Sequence, residues 1–244
     1  MSRTQKTKDT TSPVKRYIEW SSDEKCWKSY DKEAKENVLL PINTPFILLD
    51  QLTTVAGYDD KAEKSYYGSE VRDIKKPIKV FCGKAQVANG SWADIKDTLR
   101  GLKFAKSVYA MAKIDGEFQL VQFKLSGCAL SWFDFVEASG GINALEGDIV
   151  IAVTGTTPGK KGSITFNTPN FAIVQRELSD EAATQADAAD TALQAYLEAY
   201  LEEGPKVDEE EEETDASRET AMENGPTPPQ FDPADEVLDD EPPF

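Results

Sequence analysis

Charge is divided so unevenly along this chain that it reads as a binding body followed by an acidic interaction tail. Residues 1–177 carry 25 Lys and Arg against 22 Asp and Glu, a net of +3, whereas residues 178–244 carry 2 against 22, a net of −20. From residue 205 onward Pro, Glu and Asp dominate and branched apolar residues are nearly absent. Such a composition buries too little surface to offset the entropy lost on ordering. The expected organisation is a flexible basic arm over 1–13, one domain over 14–177, an Ala-rich acidic helix over 178–204 and a disordered acidic tail over 205–244. A chain of 244 residues has room for one good core between such ends. The overall charge of −17 therefore describes the tail, and the body is free to bind a polyanion.

The body reads as β-rich, with short apolar runs broken by Gly, Pro, Asn and Asp. The clearest expected strands are Val14–Trp20, Phe46–Val55, Pro77–Phe81, Lys103–Ile114, Phe118–Leu125, Asp148–Thr154, Ser163–Phe166 and Phe171–Arg176. Asp115-Gly116 between two of them is a type I′ hairpin signal, because that turn needs positive φ at both central residues. Short helices are expected over Ser91–Leu99 and Cys128–Ala138. Many short strands with inserted helices suggest a mainly β fold, with a five-stranded Greek-key barrel of the OB type as the favoured form. In the acidic helix, Ala189, Leu193, Tyr196, Leu197, Tyr200 and Leu201 form an apolar stripe expected to pack on the barrel or on a second subunit, so a homo-oligomer stays open.

Residue types narrow the chemistry. The chain has no histidine, so the usual general base, metal ligand and triad member are missing. Cys26, Cys82 and Cys128 are odd in number and far apart, which fits neither a disulfide framework nor a four-ligand zinc site. Gly155-Thr156-Thr157-Pro158-Gly159-Lys160 glances at a phosphate loop, but its spacing is one residue short and a strand follows. A hairpin loop accounts for it better. The acid pairs Asp94/Asp97 and Glu146/Asp148 read as ordinary surface residues. The expectation is a non-enzyme with no cofactor and no metal. The N-terminus lacks an apolar leader segment, and no run approaches the ~18 residues of a spanning helix. A soluble, cytoplasmic protein with no membrane partner is expected.

Single-strand binding needs cations that track phosphates and aromatic faces on which bases stack. The segment 72–84 supplies Arg72, Lys75, Lys76, Lys79 and Lys84, and strand alternation sets Lys79 and Phe81 on one face. In the long strand from Lys103, the residues Lys103, Ala105, Ser107, Tyr109, Met111 and Lys113 share a face. Phe104, Lys106, Val108, Ala110, Ala112 and Ile114 form the more apolar one. Two further stretches interleave charge and rings, Trp27 with Tyr30 beside Lys25 and Lys28, and a loop with Tyr66 and Tyr67 beside Lys61 and Lys64. The candidate strand-binding set is thus Trp27, Tyr30, Tyr66, Tyr67, Arg72, Lys75, Lys76, Lys79, Phe81, Lys84, Lys103, Lys106, Ser107 and Tyr109. Trp92, Phe104, Phe123, Trp132 and Phe135 are expected in the core.

The chain ends Asp239-Asp240-Glu241-Pro242-Pro243-Phe244, consecutive acids joined to a terminal ring. A ring beside carboxylates suits a partner pocket lined by Arg and Lys, where charge steers and the ring anchors. This ending resembles the D-D-D-I-P-F tip of bacterial single-stranded DNA-binding proteins, with Glu241 for an acid and Pro242 for the isoleucine. The body is similar instead to the divergent single-stranded DNA-binding proteins of bacteriophages. That likeness lies in WKSYDKEAKENVLLP (27–41), YYGSEV (66–71), SWADIKDTLRGLKFAKSVYA (91–110) and LSGCALSWFDF (125–135). It implies an OB-type barrel, sequence-independent binding of single-stranded DNA, and a place in phage replication, recombination or repair within the host cytoplasm. It also implies replication or recombination proteins as partners of the tip. Two other readings share these features: an acidic nucleic-acid mimic that inhibits a DNA-binding protein, and a mediator that anneals complementary strands.

Overall fold

The structure, a computed structural model, describes residues 11–31, 35–145, 147 and 149–203. The expected disordered tail, its docking tip, and most of the basic arm lie outside these residues. The fold is mainly β: eleven strands, two short α-helices and one long C-terminal helix among the described residues. The strands are β1 (Arg16–Ser21), β2 (Cys26–Asp31), β3 (Glu36–Leu40), β4 (Phe46–Asp59), β5 (Lys64–Gly68) and β6 (Ile78–Cys82). They continue with β7 (Ala85–Gly90), β8 (Leu102–Ile114), β9 (Glu117–Ser126), β10 (Val150–Lys161) and β11 (Ile164–Gln175). The helices are α1 (Trp92–Ile95), α2 (Trp132–Ala138) and α3 (Asp180–Glu203).

The strands join in one mixed sheet of order β3-β2-β1-β9-β8-β4-β5-β6-β7, with β10 and β11 branching from β4. The β1–β9 pairing is parallel, with Ile18 opposite Phe123. Long β4 runs antiparallel to β8 from Phe46↔Ala112 to Gly57↔Leu102, and its other edge is shared by β10 near Ile47 and β5 near Tyr67. No pairing among the described residues closes the sheet on itself. Eleven strands in an open sheet are therefore found where five in a barrel were expected. Four of the extra strands, β2, β3, β5 and β7, were hidden because they are short and polar on one side. Pairing makes strands of them.

Other expectations hold with adjusted limits. Asp115 and Gly116 take φ of 54° and 86°, and Ile114 pairs with Glu117 across the two-residue turn. The helix expected from Ser91 begins there, with Asp94 Oδ2 accepting the Ser91 N–H at 3.0 Å, but it ends at Ile95. The segment expected as one helix over Cys128–Ala138 is a 3-10 turn followed by α2. Gly155–Lys160 is not a hairpin loop. It lies inside β10, paired through Gly159↔Phe166 and Lys160↔Thr165, and the turn comes at Gly162-Ser163. Pro158 and Pro169 lie within these paired strands. A two-stranded ribbon tolerates them because each strand has a free edge.

One side of the sheet, the inner, carries two apolar clusters. The larger gathers Ile18, Trp27, Phe46, Val108, Phe123 and Trp132, and the smaller Val55, Ile78, Val80, Trp92 and Phe104. Trp92, Phe104, Phe123 and Trp132 are buried as expected, and Phe135 is packed at the margin. The outer side of β4, β8 and β9 is covered by α3, whose Leu193 and Leu197 are fully buried against Leu52, Tyr109 and Leu120. Burying each such leucine contributes about 1.5–3 kcal/mol. The Ser179 hydroxyl accepts the Ala182 N–H at 3.2 Å and starts the helix, and Asp180 and Glu181 face the positive end of its dipole. No helix among the described residues is long and apolar enough to cross a membrane.

Candidate nucleic-acid interface

Strand register decides which of the candidate residues meet. On the outer side, Lys103 of β8 pairs with Ala56 of β4, Ala56 with Tyr67 of β5, and Tyr67 with Phe81 of β6. Neighbouring strands lie about 4.8 Å apart, so this row spans about 14 Å. Phe81 and Tyr67 stack with centroids 5.5 Å apart and planes at 19°, and the Tyr67 hydroxyl donates to the Gly83 carbonyl at 2.6 Å. Lys79, two residues before Phe81, is exposed on the same side, its backbone N–H held by Ser69 Oγ at 2.9 Å. Lys84 is exposed on the turn beyond Phe81. The expected grouping of Lys79, Phe81 and Lys103 is thus found, and Tyr67 joins it. Phe81 is 7% exposed and forms the floor, while Tyr67 is the more open ring.

The rest of the expected platform is covered. Ser107 and Tyr109 lie on the same outer side but are 1% and 2% exposed, closed over by α3 and by Glu70. This corrects their place as open strand-binding groups: the same side chains instead build the seam under the helix. Tyr109 donates its hydroxyl proton to Glu70 Oε2, and Gln122 Nε2 donates to Glu70 Oε1 at 2.5 Å. Burial pushes the Glu70 carboxyl above its ordinary range, while hydrogen bonds from Ser107, Tyr109 and Gln122 and the charge of Lys124 oppose the shift. Burial and the Glu70 charge push the Tyr109 and Tyr200 hydroxyls upward. Arg72 is exposed but engaged, paired with Asp50 at 2.9 Å and donating to Gln194 of α3 at 3.3 Å.

Three candidates face the other way. Trp27 and Tyr66 point into the inner clusters at 0% and 9% exposure, so neither presents a face on which a base can stack. Both had been placed in the binding set because a ring beside lysines looks alike whether it points in or out. Lys106 also turns inward: its Nζ donates to Thr53 Oγ1 at 3.0 Å and stands 5.8 Å from the Phe133 ring. Burial lowers its pKa, with Asp50 opposing. Tyr30 is half-buried on outer β2, where Lys28 pairs with Glu19, and Tyr17 nearby is 51% exposed. Lys75 and Lys76 are exposed on the β5–β6 connection. The docking residues Asp239 to Phe244 lie outside the described residues.

Two features escaped sequence reasoning. The seam of Glu70, Gln122 and Tyr200 joins residues far apart in the chain and had no local signal. The second, the outer half of the β10–β11 ribbon with Lys160 and Lys161, did have one: residues 149–176 contain no Asp or Glu. Compared with protein-family models, curated proteins and solved structures, the chain matches none.

Proposed function

We propose that this chain is a sequence-independent single-stranded DNA-binding protein that coats transient single strands and recruits other proteins through its acidic C-terminal tip. The observation that carries this reading is the outer ladder row of Lys103, Tyr67 and Phe81, with Lys79 one row away. It sets cations beside a stacked ring pair on a part of the sheet that α3 leaves open, the two elements that strand binding requires. The body's net charge of +3, against −20 in the last 67 residues, supports the division between binding and recruitment. The chemistry is non-covalent: lysines neutralise phosphates and release counterions, and Tyr67 takes a base on its face. No enzymatic step belongs to this reading.

An OB-type barrel belongs to the same proposal. Strands β9-β8-β4-β10-β11 are neighbours in that order, with α2 between β9 and β10 in the chain. A partly open Greek-key barrel is the form this order suggests. The edge of β9 that a closing strand would use is taken by β1.

One observation favours a second reading, the acidic mimic: α3 carries Asp180, Glu181, Asp187, Asp190, Glu198 and Glu202 and no Lys or Arg. A single experiment separates the two. Fluorescence anisotropy of a labelled dT oligonucleotide and, in parallel, of a labelled duplex is followed as the full chain is added, at low and moderate salt. Binding to dT that exceeds the duplex response and weakens with salt upholds strand coating. No response from the full chain, or from a version ending at Gly204, discards it and leaves the mimic.

A further inference from the structure

The β10–β11 ribbon extends past the sheet. β10 pairs with β4 only at Val150 and Ile151, and beyond that the two strands pair only with each other, out to Lys161↔Ile164. Its root is fixed. The Asn167 N–H donates to Ser22 Oγ at 2.7 Å, the Trp20 indole N–H donates to the Asn167 carbonyl at 2.8 Å, and the Ser131 hydroxyl donates to the Pro169 carbonyl at 2.8 Å. From Asn167 to the turn at Gly162-Ser163 the arm reaches about 13 Å, at ~3.3 Å per residue. It is stiffened from within. A Cβ on Gly159 would come within 2.3 Å of the Phe166 ring, so the ring lies flat on the ribbon backbone.

The charge of the arm has one sign. Lys160 and Lys161 are exposed at its end on its two opposite faces, Thr165 lies across from Lys160, and no acid occurs anywhere in 149–176. Its one ring, Phe166, is half-buried with one face against Gly159, and the exposed end beyond it, residues 160–165, carries lysines and no ring. A grip on single strands would draw on rings as well as cations. A grip on phosphates needs only the lysines, and a two-stranded ribbon has the width that the ~12 Å major groove admits.

We propose that the β10–β11 ribbon is a second nucleic-acid site, a duplex-binding arm in which Lys160 and Lys161 contact the phosphates of double-stranded DNA. The arm would thus favour the junction where a coated single strand meets duplex. The junction preference rests on the strand-coating reading; duplex binding by the ribbon does not.

The test uses the full chain and its Lys160→Glu/Lys161→Glu variant, with fluorescence anisotropy against dT oligonucleotide, blunt duplex, and duplex bearing a dT overhang. Both positions are exposed, so the fold is retained, and a Lys160→Gln/Lys161→Gln variant removes charge without reversing it. The expected result is unchanged affinity for dT with roughly tenfold weaker binding to duplex and to the junction. The duplex salt slope should fall by about 1.8, as loss of two phosphate contacts requires. An equal loss on dT would show that the ribbon grips unpaired strand and overturns the proposal. So would no change on any probe, or no duplex binding by the unaltered chain. If the unaltered chain ignores dT while the lysine changes still abolish duplex binding, the strand-coating reading fails and the duplex arm stands.

Discussion

The backbone N–H of Glu70 donates to the Tyr200 hydroxyl at 3.0 Å, tying the end of β5 to the last turn of a helix 130 residues away in the chain. The Glu70 carboxylate takes Tyr109 and Gln122 on its other side, so one residue fastens α3 to three segments of the sheet. Leu193 and Leu197 supply the apolar part of the same contact. How firmly α3 sits determines whether Ser107 and Tyr109 stay covered.

Glu70 makes this contact sensitive to pH. Its carboxyl is raised above its unfolded value, so the folded chain holds this proton more tightly than the unfolded chain does. The stability linked to it is full below the ordinary carboxyl range of about 4.3 and is lost as pH rises through the raised native value. Glu70→Gln should therefore flatten the dependence between pH 4 and neutrality, measured as the difference in urea midpoint between variant and parent. A difference that does not vary with pH would contradict the assignment.

Leu197→Ala removes a fully buried side chain from the helix–sheet contact. The expected loss is about 2–5 kcal/mol. Hydrogen exchange should quicken along α3 while β8, paired on both edges, keeps its protection.

Strand binding should respond to the outer row. Lys79→Glu with Lys103→Glu is expected to weaken poly(dT) binding at least tenfold and to lower the salt slope by about 1.4, the figure for two contacts on single-stranded DNA. Equal weakening at every salt concentration would point away from phosphate contacts.

Rings on the two sides of the sheet should behave oppositely. Tyr67→Ala should cost about 1–3 kcal/mol of poly(dT) affinity. Trp27→Phe should leave affinity unchanged and lower stability, because Trp27 packs 4.8 Å from Phe123 and 5.1 Å from Trp20 in the inner cluster. A DNA effect at Trp27 would return that ring to the binding surface.

Much of the local structure was legible from residue order alone. Asp115-Gly116 marks its turn because few residues take positive φ without strain. The alternation in Lys103–Ile114 separates an apolar inner side from an outer one because side chains in a strand alternate strictly. The stripe through Leu193 and Leu197 foretells a docked helix because 3.6-residue periodicity gathers those residues on one side. The charge division at residue 178 is likewise a matter of counting.

The tertiary structure decided which side of each strand is covered and which strands are neighbours. Trp27 and Tyr67 stand in similar lysine-rich surroundings, yet one is buried and the other half-open. Their orientation depends on the register with Leu40 and Phe81, residues contributed by other strands. Ser107 and Tyr109 have the pattern of an open strand and lose their exposure to a helix that begins at residue 180. Gly155–Lys160 reads as a loop until β11 pairs with it. In each case the deciding contact lies far away in the chain, and local order carries no record of a partner that only folding brings near.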